Sequence, residues 1–94
     1  MRIKWLRRAA RSLAAEADFI ANDNPIAADR VVARVRATVD HLLDHPAMGR
    51  AGRVPNTREL IVSNTPYIIA YRVRGDVLAV IHVLHAARRW PERF

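Results

Sequence analysis

Two spacings of apolar residues divide the chain. In RIKWL (2–6), Ile3 and Trp5 alternate with Arg2 and Lys4, the period of two that marks a strand with one buried face. From Leu6 the period lengthens. Leu6, Ala10, Leu13, Ala17 and Ile20 recur at intervals of four or three and form one stripe of a helix, with Arg7, Arg8, Arg11, Glu16 and Asp18 mostly off it. NDNP (22–25) interrupts the pattern. Asn24 suits the cap of a new helix, and Pro25 suits its first turn, where a missing N–H costs nothing. Ala28, Val32, Val35, Val39 and Leu42 repeat the helical spacing, and Pro46 predicts that this helix ends near His45. Two helices with a short break and one apolar stripe each predict a helical hairpin.

Beyond residue 57 the period returns to two. RELIVS (58–63), YIIAYRV (67–73) and VLAVIHVLH (77–85) read as strands separated by turns at SNTP (63–66) and RGD (74–76). The last strand is apolar on both faces, which predicts a central place in the sheet, covered on both sides. The expected order is β-α-α-β-β-β over a single domain, residues 1–94. This is an α+β fold in which the helical hairpin packs on one face of an antiparallel sheet.

Composition narrows the picture. Hydrophobic residues make up 51% of the 94, which argues against disorder. No cysteine is present, so a disulfide framework and a thiolate metal site are excluded, and a reducing cytoplasm is the expected location. No apolar run approaches the roughly 20 residues of a membrane helix, and the basic N-terminus lacks the apolar stretch of a signal peptide. The net charge of +7 is uneven: residues 1–47 carry eight basic and six acidic side chains, residues 48–94 eight and three. Fifteen of the sixteen basic residues are Arg, whose planar fork grips phosphate and carboxylate in pairs of bonds. An anionic partner, either nucleic acid or an acidic protein segment, is therefore expected. The loop MGRAGRVPNTREL (48–60) concentrates Arg50, Arg53 and Arg58 among Gly49, Gly52, Pro55 and Asn56.

The element order and the string GRAGRVPNTRELIV (49–62), TPYIIAYRV (65–73), VLHAARRWP (83–91) resemble the RelE/ParE toxins of bacterial type II toxin–antitoxin modules, over essentially the whole chain. Asn56 stands where family members often have Gly, and Asn tolerates the positive φ such a turn needs. The resemblance implies a cytoplasmic, growth-inhibiting toxin of the kind linked to plasmid stabilization. An antitoxin of the ParD/RelB kind, with an acidic C-terminal segment, would hold it inactive as a hetero-oligomer. Arg50, Arg53, Arg58, Arg72, Arg88, Arg89 and Trp90 are the residues expected to meet antitoxin or target. No cofactor, metal or membrane is implied.

The family divides by target. RelE-like members cut mRNA in the ribosome, and ParE-like members poison DNA gyrase. Metal-free RNA cleavage needs a base, an acid and cations on the phosphate. His85, Arg89 and Arg58 are the catalytic candidates for a RelE-like activity, with Glu59 as a possible base. Yet RelE-like sequences place an Arg on the middle strand where this chain has Ile68, and carry a Tyr near their end, whereas no Tyr follows Tyr71 here. VLHAARRWP is closer to ParE-like members, so gyrase poisoning is the expected activity and ribosome-dependent mRNA cleavage the alternative. A plain DNA-binding subunit is a third class, and would show steep salt dependence. Other roles stay open from sequence. Arg58 could bind Asp40 or Asp44, Tyr67 and Tyr71 fit core packing, His82 fits a half-buried position, and His41 and His45 could share a helix face without an evident third metal ligand.

Overall fold

The structure, a computed structural model, describes residues 1–87, 91 and 94; Arg88, Arg89 and Trp90 lie outside the described residues. The chain begins with β1 (Arg2–Trp5), continues through α1 (Arg7–Ala21) and α2 (Pro25–Leu42), and then forms β2 (Arg50–Ala51), β3 (Arg58–Ile61), β4 (Tyr67–Arg74) and β5 (Val77–His85). The strands make one sheet in the order β1-β5-β4-β3-β2. The doubly apolar β5 lies inside the sheet, between β1 and β4, as its sequence predicts, although the helices cover only one of its faces.

The sheet departs from the expected architecture in two ways. It has a fifth strand, β2, which pairs Arg50 and Ala51 with Glu59 and Arg58. It is also mixed, because β1 runs parallel to β5, pairing Arg2 with Val77 and Trp5 with Val80. Alternation reports which side chains share a face and is silent on strand direction. Parallel neighbours need a long crossover, and the helices form part of the chain that supplies it.

α2 starts as its sequence dictates. Asn24 accepts a hydrogen bond from Ala27 N at 3.0 Å, and Pro25 occupies the first turn. Asn24→Ala should cost about 1 kcal/mol, read as a fall in Tm of roughly 4–8 °C for a domain of this size. The helix closes at Leu42, earlier than Pro46 alone suggests. Residues 43–45 continue to turn with tighter i to i−3 bonds, Leu43 N to Asp40 O, Asp44 N to His41 O and His45 N to Leu42 O, each 3.2 Å.

The core lies between the hairpin and one sheet face. Ala9, Leu13, Val35, Val39 and Leu42 pack on Tyr67, Ile69, Tyr71, Leu78, Val80 and Val83, with Ile3 and Trp5 at the margin. The buried stripe of α1 is Ala9, Leu13 and Glu16, with Ile20 packed alongside, whereas Ala10 is exposed. The expected stripe is thus rotated by about one residue. Leu13 and Ile20 fix the face, and alanines are too small to contest it. Glu16 tolerates burial because Tyr67 donates to its Oε2 at 3.2 Å. Where β1 stops, α1 takes over the open edge of β5: Val83 N donates to Ser12 Oγ at 3.0 Å, and Ser12 Oγ donates to Ala9 O at 3.0 Å.

Candidate functional site

The arginine loop is bound to the sheet by three residues that sequence reasoning assigns elsewhere. Glu59 is buried. Its Oε1 lies 3.2 Å from Arg50 Nη2 and 3.8 Å from Arg53 Nε, while its Oε2 accepts from Arg53 N at 2.8 Å. Arg58, across the strand from Glu59, turns to the other face and donates from Nη1 to Gly49 O (2.8 Å) and Ala47 O (3.3 Å). No pairing of Arg58 with Asp40 or Asp44 appears; backbone carbonyls after the end of α2 hold it instead. Tyr71, fully buried, donates to Pro46 O at 2.8 Å and accepts from Gly49 N at 2.8 Å.

Backbone demands explain the composition of the loop. A Cβ on Gly49 would lie 2.6 Å from Tyr71 Oη and 3.0 Å from Glu59 O. Gly52 N donates to Thr57 O at 2.7 Å, and a Cβ on Gly52 would overlap the Thr57 hydroxyl. Asn56 takes φ +66°, the left-handed conformation its residue type tolerates.

The remaining candidates fall in separate places. Register sets how far His85 and Arg58, on the strands either side of β4, stand apart along the strand direction. His85 pairs with Tyr67 and Arg58 pairs with Tyr71, four residues apart on β4, or about 13 Å at roughly 3.3 Å per residue. The His85 ring meets Tyr67 edge-on at 5.4 Å, and its Nδ1 accepts from Ala87 N at 3.1 Å. His82 is half-buried, with its Nδ1 donating to Val83 O at 3.1 Å. Burial pushes its pKa below the ordinary histidine value; the Val83 carbonyl opposes this and the positive charge of Arg8 adds to it. Arg72 lies on the opposite sheet face from Tyr71, in register with Ala79. The buried Ile68 is the second residue of β4, paired with Leu84. The rings of His41 and His45 are 4.9 Å apart, beside Met48, at the end of α2. Among the described residues, no three His, Cys, Asp or Glu side chains gather as a metal centre requires.

Sequence reasoning missed the anchoring roles of Tyr71 and Glu59. The available signal was a single acidic residue in a stretch with three arginines, and a tyrosine that shares its strand face with Ile69 and Tyr67 on a strand facing that stretch.

A mixed five-stranded sheet with a helical hairpin on one face, joined to it by an arginine-rich loop, defines a class. The chain belongs to the ParE toxin family of type II toxin–antitoxin systems, whose sequence pattern it matches over residues 3–90. It is a toxin of such a module, with an antitoxin as its partner. It is 47% identical over 91 residues to the Y4kP protein of Sinorhizobium fredii, covering 97% of this chain and 94% of that one. It is 35% identical over 86 residues to the toxin RelE2 of Caulobacter vibrioides, covering 92% and 96% of the two chains. A structure of the chromosomal ParDE system from P. aeruginosa superposes with a TM-score of 0.80 at 27% identity, over 90% of this chain and 95% of that one.

Proposed function

We propose that this toxin stops growth by binding DNA gyrase, without bond-breaking chemistry of its own, and that it does so in the cytoplasm, where its antitoxin also meets it. The observation that carries the reading is the dispersal of the acid–base and cationic groups. His85 and Arg58 stand about 13 Å apart along β4. Glu59 is held by Arg50 and by the Arg53 backbone, and Arg58 is committed to carbonyl oxygens. Cleavage through a ribose hydroxyl needs a free base and a phosphate-binding cation within hydrogen-bond reach of one substrate. Among the described residues His85 and Arg58 share no such point, and Glu59, the one candidate base with arginines beside it, is buried with both carboxylate oxygens already bonded. The alternative, ribosome-dependent mRNA cleavage, draws on the RelE names of two relatives from Caulobacter vibrioides.

A paired assay on the free toxin separates the two. Supercoiling and cleaved-complex formation by purified gyrase are followed in one arm, and mRNA integrity in a translating extract in the other. Loss of supercoiling with intact mRNA is expected. Codon-phased mRNA cuts with normal gyrase would overturn the proposal.

A further inference from the structure

Besides Arg50 and the buried Glu59 that it pairs with, the sheet face turned away from the helices carries four cations on β1 and β4 whose arrangement follows from register. Arg2 and Arg74 both pair with Val77, and Lys4 and Arg72 both pair with Ala79. Register partners share a face. Leu78, Val80 and Tyr71 point into the core, so Arg2, Lys4, Arg72 and Arg74 point the other way. β1 and β4 are second neighbours, about 10 Å apart, and the two rows are separated by two residues, about 7 Å. The four side chains therefore rise from the corners of a rectangle of roughly 10 by 7 Å. Val77 is half-buried and Ala79 buried between them.

None of the four forms an ion pair with a described residue; the ion pairs given by the described residues join Glu59 to Arg50 and Arg53. The acidic residue next to the cluster in sequence, Asp76 in the β4–β5 turn, binds Arg2 only through its carbonyl oxygen, at 2.8 Å from Arg2 N. Four uncompensated cations on a rigid sheet repel one another unless an anion neutralises them.

We infer that this quartet binds the phosphodiester backbone of a nucleic acid, independently of base sequence. The surface lacks what an acidic peptide would need to add to charge pairing. There is no exposed aromatic or large apolar anchor between the cations, and such anchors supply most of the affinity of protein partners. Repeated phosphates need only fixed cations, and three of the four are guanidinium groups that grip phosphate in a fork. Phosphate contacts position a protein without reading bases. Binding at this face needs neither gyrase nor ribosome and is therefore separate from the proposed target.

The experiment follows binding of full-length free toxin to fluorescent random-sequence duplex DNA and to single-stranded RNA across a salt series. Four contacts predict a slope of log K against log salt of about −3.6 for duplex and about −2.8 for single strands. The larger affinity tells which nucleic acid the face prefers. Replacing Arg2, Lys4, Arg72 and Arg74 with Gln should bring the slope close to zero. Replacing Arg7, Arg11, Arg30 and Arg34 on the helices, an equal loss of charge, should leave it unchanged. Arg→Lys at positions 2, 72 and 74 should keep the slope, and far-ultraviolet circular dichroism of each variant checks the fold. Equal loss in the two Gln variants would overturn the proposal in favour of diffuse attraction. So would absence of binding to either nucleic acid at low salt, or a quartet variant that loses antitoxin affinity while its nucleic-acid slope stays the same.

Discussion

Tyr71→Phe is expected to destabilise the toxin by about 2–4 kcal/mol, although it removes one atom. The hydroxyl donates to Pro46 O and accepts from Gly49 N, and Gly49 is itself buried. Without it an amide and a carbonyl lose their partner, at roughly 1–3 kcal/mol for each buried group left unsatisfied. Urea unfolding should show a lower midpoint with an unchanged slope, the mark of altered stability rather than altered compactness. The same residue predicts an alkaline signature. Burial raises the phenol above its ordinary 10.0, with the Gly49 N–H bond and the charge of Arg58 opposing. The unfolded phenol loses its proton first, so its contribution to stability is intact below pH 10 and declines as pH rises beyond it. That part of the alkaline decline should be missing in Tyr71→Phe.

Glu59→Gln should release the loop while leaving the sheet formed. The carboxylate receives a bond from Arg53 N and another from Arg50, and bonds to a charged acceptor contribute about 1.5–3 kcal/mol. The arginine side chains are half or more exposed, so the Coulombic part is screened and adds little. The expected loss is at the lower end of that range, concentrated in residues 50–57. Limited trypsin digestion reads it locally: cleavage after Arg50 and Arg53 should quicken well before global unfolding does. Digestion at the wild-type rate would show that Tyr71, Arg58 and the Gly52–Thr57 bond hold the loop without help from Glu59.

Much of this architecture is legible in the chain because local rules and tertiary packing agree. Val77–His85 is apolar at both even and odd positions, and only a central strand can bury both. Asn24 before Pro25 marks a helix start that needs no tertiary help. Asn56 shows its backbone preference in its residue type. Other features depend on partners far away in sequence. The direction of β1 is set by β5, and nothing in RIKWL encodes it. β2 is two residues of an arginine loop whose strand character comes only from β3. Arg58 looks like a ligand-binding cation until the end of α2 brings two carbonyls to it. The site is less legible than the fold because an arginine's sequence context is the same whether it is spent inside the molecule or offered outside it. Arg50 and Arg53 meet Glu59, whereas Arg2 and Arg74 meet no described acid.

The pairing of the first strand with the last has a consequence for how the toxin is made. Residues 2–5 emerge from the ribosome well before residues 77–80 and have no strand to join until those have followed. The strand that joins β1 to the rest of the sheet is therefore made only after both helices and the other strands, and non-local pairing of this kind is slow to form. A nascent or truncated chain has helices and no closed sheet, and so cannot present the finished surface to any target. Synthesis itself thus imposes a delay before each copy becomes dangerous, and during that delay an antitoxin made alongside can already be waiting.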